Sequence, residues 1–163
     1  MEIYILRHGI AVDRGTPGFK KDSDRPLTEE GEEKTQDIAQ AMLGMGLQFD
    51  LILSSPYARA KRTAQIVARE LEEEVTITES LIPDGNALEL IAEINDEKPQ
   101  RILLVGHEPD LSRLISVLMT GDSDALIELK KGGLCKLTTD KLTFGKCATL
   151  NWLLTPKQLR SMR

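Results

Sequence analysis

Apolar positions along the chain fall into short runs that stop at glycine, serine or proline, and most of these runs are followed by segments with helical spacing. Glu2-Ile3-Tyr4-Ile5-Leu6 is a β-branched and aromatic run that ends at Arg7-His8-Gly9, which predicts a buried strand closing on a turn. Residues 10 to 27 carry Gly15, Pro17, Gly18 and Pro26 among mixed charges without periodicity, the profile of a long exposed loop. A first helix is expected from Thr28, an N-cap residue, with Glu29, Glu30, Glu32 and Glu33 crowding the turns where the macrodipole favours acids. Ile38, Met42 and Met45 supply its buried side.

The pattern then repeats. Leu51-Ile52-Leu53 predicts a second strand running into Ser54-Ser55-Pro56, where a proline just inside a serine cap signals a helix start. Ala60, Ala64, Val67 and Leu71 recur at helical spacing and leave Arg59, Arg62 and Arg69 on other faces. Val75 to Thr78 alternates as a strand does, Pro83-Asp84-Gly85-Asn86 reads as a turn, and Leu88 to Ile94 as a short helix ended by Pro99. Arg101-Ile102-Leu103-Leu104-Val105 is the most apolar strand and stops at Gly106-His107-Glu108-Pro109. Leu111, Leu114, Ile115, Leu118 and Met119 trace an amphipathic helix with Asp110 or Ser112 near its start, and Leu134 to Thr138 with Ala148 to Leu153 suggest an edge hairpin. Alternating strands and helices predict a three-layer α/β/α sandwich around a mostly parallel sheet, a fold in which ligands bind beyond the carboxyl ends of the strands.

Composition narrows the function. A chain of 163 residues with 40% hydrophobic and 29% charged positions suits one globular domain, residues 1 to 163, with a substantial core. A formal net charge of −5 gives no overall attraction to nucleic acid or to an anionic membrane surface. The opening residues have neither the basic head nor the apolar run of a signal peptide, so a cytoplasmic protein is expected, and a monomer is the default for so small a domain. Cys135 and Cys147 then read as reduced thiols. Neither has an arginine six positions later, which removes the phosphate loop of a cysteine-dependent phosphatase.

The chain holds two histidines, His8 and His107, and both stand where a predicted buried strand ends. Arg7 precedes the first. Arg59 stands in the opening turn of the second helix, where a cation is disfavoured unless an anion shares the site. Neutral imidazole is a competent nucleophile toward phosphorus, and guanidinium forks suit phosphoryl oxygens, so two arginines and two histidines point to phosphoryl transfer without a metal. Two histidines with no His-Glu-x-x-His run supply too few ligands for metal hydrolysis. The acids of Asp22-Ser-Asp24 and Asp122-Ser-Asp124 read as solvated turns. No glycine-rich nucleotide loop is present.

Leu6-Arg7-His8-Gly9, then Ser54-Ser55-Pro56-Tyr57-Ala58-Arg59-Ala60 with Thr63, then Val105-Gly106-His107-Glu108-Pro109, resemble in order the motifs of the histidine phosphatase superfamily, the phosphoglycerate mutase-like enzymes. The short chain, Arg25-Pro26-Leu27-Thr28 with Gly31, and the His-x-Pro ending resemble the SixA-type phosphohistidine phosphatases within it. The resemblance covers nearly the whole chain. It implies a phosphoglycerate mutase-like fold, no cofactor, transient phosphorylation of His8, and Arg7, Arg59 and His107 holding the phosphate oxygens until water hydrolyses phospho-His8. Its substrate would be a phosphorylated histidine on another protein, with Arg25 near the pocket mouth. Larger members carry an acidic proton donor after the third strand, where this chain offers Glu79 as a solvated strand end and Asp84 as a turn residue; neither is assigned. A small-molecule phosphomonoesterase using one of them, and a phosphate-binding module without catalysis, are the rival expectations.

Overall fold

The computed structural model describes residues 1–163. Six strands form one sheet: β1 (Glu2–Arg7), β2 (Leu51–Ser54), β3 (Thr76–Ile77), β4 (Arg101–Gly106), β5 (Leu134–Thr139) and β6 (Ala148–Leu154). Their spatial order is β3-β2-β4-β1-β5-β6. The pairs β3–β2, β2–β4 and β4–β1 are parallel, whereas β5 runs antiparallel to β1 and pairs with β6 as the edge hairpin.

Side-chain alternation along the strands separates two cores. Tyr4, Leu6, Ile52, Leu103 and Val105 pack with α1 (Glu29–Gly44), α2 (Ala58–Leu71) and Leu159 of α5 (Pro156–Arg160). Ile3, Ile5, Leu53, Ile102 and Leu104 point the other way, against α3 (Ala87–Glu97) and α4 (Asp110–Thr120). The three-layer expectation therefore holds. β1 and β4 lie side by side in register, Arg7 opposite Gly106, yet the helix after β1 covers one face and the helix after β4 the other. The crevice opened by that divergence is the ligand position of an open α/β sheet.

Several boundaries differ from the sequence reading. α2 begins at Ala58 with Tyr57 as N-cap, because Ser55 turns its Oγ to the Tyr57 N–H ahead of the helix. β3 shrinks to two exposed residues, Thr76 and Ile77, which pair with Leu53 and Ser54 at the end of β2. α3 starts earlier and ends later, capped by Asn86 through the N–H groups of Leu88 and Glu89. Neither Asp110 nor Ser112 caps α4; the Glu108 carboxylate accepts from the Ser112 N–H instead. α5 was not anticipated, although Thr155, Pro156 and Gln158 form a capping box with proline in the first turn. The loop over residues 10–27 is also more structured than expected. It holds a bridge between Ala11 and Leu27 and a 3₁₀ turn at Asp22–Asp24. No helix is long and apolar enough to cross a membrane.

Candidate active site

The ends of β1 and β4 place His8 and His107 with ring centroids 5.2 Å apart, both buried. The His8 turn is tied down on three sides. Its N–H donates to the Gly106 carbonyl, Gly9 N–H donates to Thr63 Oγ1 at 3.0 Å, and Gly132 N–H reaches the carbonyls of Arg7 and His8. Thr63 is in turn anchored one turn back on its own helix, at the Arg59 carbonyl. A residue on α2 therefore fixes the loop that follows β1.

The ring of His8 is oriented by a 2.7 Å contact between Nδ1 and the Gly9 carbonyl. A carbonyl can only accept, so Nδ1 carries the hydrogen and Nε2 keeps its lone pair. Arg59 Nε donates to that Nε2 at 3.3 Å. Burial pushes the His8 pKa down to about 3 against the opposing pull of the Gly9 carbonyl, and the charges of Arg59 and Arg7 act with burial. The imidazole is thus neutral at physiological pH, with an unprotonated Nε2 at the cleft whose contact is the Arg59 N–H.

Arg59 is 3% exposed in its side chain. Its outer nitrogens hold Asp22: Nη1 donates to the main-chain oxygen at 2.8 Å and Nη2 to Oδ2 at 3.0 Å. The expectation of Asp22 as a solvated turn acid is therefore corrected. Its carboxylate also receives Arg25 Nε at 2.9 Å, so that although burial works the other way, the two arginines hold its pKa below the usual carboxylate value. Asp122 lies in an exposed turn, where it accepts from the Asp124 N–H.

Arg7 donates through Nη1 to the Leu129 carbonyl at 3.1 Å, while its buried Nε has no partner within the protein. His107 Nε2 stands 2.8 Å from Ser55 Oγ. Ser55 Oγ also accepts the Tyr57 N–H, and the second ring nitrogen of His107, Nδ1, is buried without a protein partner. Burial, followed by the charge of Arg59, pushes the His107 pKa down to about 3.

These four side chains line one cleft of about 270 Å³ together with Asp13, Arg14, Arg25, Pro83, Glu108 and Lys131. Arg25 lies at this cleft, as expected, tied to Asp22 and to the Val12 carbonyl. Neither Glu79 nor Asp84 lines it; Pro83 does, and the exposed Asp84 turns its N–H to Asp110. Sequence reasoning missed Asp22, the Ser55 contact with His107, and Glu108 on the wall. No group of three or more His, Cys, Asp or Glu side chains is placed to hold a metal ion.

Two neutral imidazoles beside two guanidinium groups form a setting for a dianionic phosphoryl group and a nitrogen nucleophile. Comparison with known proteins agrees in class. The family model of the histidine phosphatase superfamily (branch 1) matches residues 3–82. An uncharacterized protein of Picosynechococcus is 38% identical over 141 residues, 84% of each chain. Phosphohistidine phosphatase SixA of Escherichia coli is 25% identical over 98% of this chain and 97% of its own. The solved structure of the protein histidine phosphatase SixA complexed with tungstate superposes with a TM-score of 0.82 and 26% identity, covering 98% of this chain and 99% of that one. The alpha-ribazole phosphatase from Shigella flexneri shares the fold at a TM-score of 0.75 and 21% identity, over 96% and 97% of the two chains. The chain belongs to the histidine phosphatase superfamily, as a member of the SixA type. It is a phosphatase.

Proposed function

We propose that this phosphatase removes phosphate from phosphohistidine on another protein, through a covalent phospho-His8 intermediate and without a metal. The observation that carries the reading is the state of His8: its proton is fixed on Nδ1 by the Gly9 carbonyl, and Nε2 is unprotonated next to Arg59. In this reading Nε2 attacks phosphorus, the P–N bond of the substrate breaks, and the leaving imidazole takes the bonding electrons. Arg7, Arg59 and His107 hold the phosphoryl oxygens; Arg7 Nε and His107 Nδ1 are the buried nitrogens without a protein partner. Water then attacks phospho-His8, which releases inorganic phosphate and restores the ring. Tungstate, the oxyanion in the SixA complex, is a tetrahedral mimic of phosphate, in keeping with such a pocket.

The leaving group selects the substrate class. An alkoxide needs a proton from a positioned acid, whereas an imidazole departs as a neutral ring once its own second nitrogen is protonated. The acids that larger members of the superfamily would lead one to seek, Glu79 and Asp84, stand outside the cleft. Phosphohistidine suits that arrangement, and the enzyme is read as a cytoplasmic monomer whose free thiols Cys135 and Cys147 remain reduced. A second reading, hydrolysis of small phosphomonoesters, draws on the carboxylates of Asp13 and Glu108 in the cleft wall.

Phosphate release from a phosphohistidine-bearing phosphotransfer domain, with chelator present, tests the proposal. Wild type releases phosphate, and His8→Ala loses the activity by about a thousandfold or more, as expected for removal of a covalent nucleophile. Full activity in His8→Ala would overturn the assignment of the nucleophile. No release by folded wild type, with rapid hydrolysis of alkyl phosphates, would move the assignment to the second reading.

A further inference from the structure

Asp22 lies 37 residues from Arg59 in sequence and grips it by two oxygens, one from the main chain and one from the side chain. The grip covers Nη1 and Nη2, so the guanidinium has one remaining edge, and on that edge Nε meets His8 Nε2. The carboxylate is itself braced. Its Oδ1 receives Arg25 Nε at 2.9 Å and Nη2 at 2.8 Å, and Arg25 Nη1 is anchored on the Val12 carbonyl. A continuous chain of contacts thus runs from the loop after β1, through Arg25, Asp22 and Arg59, to Nε2 of His8.

The brace answers a physical problem. Arg59 sits in the first turn of α2, where the macrodipole opposes a cation, and its long side chain has many rotamers. Without a partner on its outer nitrogens the guanidinium would be free to rotate away from His8. A surface ion pair would add little, but this one joins an almost fully buried guanidinium to a carboxylate that is one-third exposed and fixed from its other side. We propose that Asp22 is a positioning residue: it holds the Arg59 guanidinium beside His8 Nε2, where it meets the phosphoryl group that this nitrogen attacks. The assignment rests on reading this cleft as the phosphoryl site. It gives a function to the 3₁₀ turn at Asp22–Asp24, since that turn supplies both the main-chain and the side-chain oxygen.

Two variants of the full chain test it. Asp22→Asn keeps the shape and the main-chain contact while removing the charge; Asp22→Ala removes the side chain. Turnover of the phosphohistidine substrate, affinity for inorganic phosphate by calorimetry, and thermal unfolding are measured in the wild-type background and beside Arg59→Ala. Misplacing a fork by about an ångström lowers kcat by about tenfold to a hundredfold in Asp22→Ala, with KM changed less. Phosphate binding weakens severalfold, and neither loss deepens by more than about twofold in the Arg59→Ala background, as coupling through one partner requires. Tighter phosphate binding with kcat retained would instead mark Asp22 as an internal competitor for the anion site and overturn the proposal. Equal losses with and without Arg59, or a lower melting temperature at unchanged kcat, would also overturn it. If wild type turns over nothing, the proposed function fails by itself. The phosphate titration then decides Asp22 alone: weaker binding coupled to Arg59 sustains it, and unchanged or tighter binding does not.

Discussion

A main-chain oxygen fixes the orientation of the His8 ring. The Gly9 carbonyl sets the tautomer, and burial among cations keeps the ring unprotonated. His107 shares the second property. Both rings have pKa values near 3 when folded, against about 6.5 for a histidine in an unfolded chain. The unfolded chain therefore binds more protons across that interval, and stability falls as pH drops from about 6.5 toward 3. Each ring adds a slope of at most about 1.4 kcal/mol per pH unit, and above pH 6.5 neither adds any. Urea unfolding at pH 7 and pH 5 checks this: wild type loses stability at the lower pH, and His8→Asn loses less. An equal loss in the variant would show that His8 is protonated in the fold as easily as in water. At this scale the sequence pointed to Arg7, His8, Arg59 and His107, which share one cleft, because each stands at a strand end or a helix start that local pattern can locate. It did not reveal Asp22 or Ser55. Their partners, Arg59 and His107, are 37 and 52 residues away, and an aspartate in a glycine-rich loop or a serine before proline reads locally as a turn or a cap.

Close approach between elements is what delivers the His8 turn to the cleft. Gly31, in the first turn of α1, lies against the loop after β1 so tightly that a Cβ would stand 2.0 Å from the Ile10 carbonyl oxygen. In an open helix, Gly→Ala would gain about 1 kcal/mol from propensity. Here the contact is main chain on one side, so Gly31→Ala should destabilise by about 1–3 kcal/mol through overpacking and lower turnover by displacing Gly9 and Ile10. Chemical denaturation with a parallel activity assay measures both. A more stable and fully active Gly31→Ala would show that the two segments part without consequence for His8. The register of hydrophobic positions made the strands and the four long helices legible, and Thr28 does cap α1 through the Gly31 N–H. Ends were harder to place where tertiary contacts decide them. β3 keeps only the two residues that pair with Leu53 and Ser54, and α2 is delayed because Ser55 is engaged before the helix begins.

Across the whole molecule the cations are concentrated where the net charge gives no hint of them. A chain with formal charge −5 carries Arg7, Arg14, Arg25, Arg59 and Lys131 around one cleft, against Asp13 and Glu108 on its wall. The sheet makes that possible. Strands β1 and β4, separated by almost a hundred residues, lie side by side, and the helices that leave them part to opposite faces. Alternating elements predicted the layers, and the strand order, which no local pattern encodes, placed both histidines in the crevice. The central claim is that His8 is the group that accepts phosphate, and a covalent intermediate tests it most directly. A phosphohistidine donor protein is mixed with the enzyme, quenched in milliseconds under alkaline conditions that preserve phosphoramidates, and the enzyme is analysed by mass spectrometry. The account predicts a transient gain of one phosphoryl group, mapped to His8 and absent in His8→Asn. Turnover with phosphate on no residue, or on a residue other than His8, would contradict it.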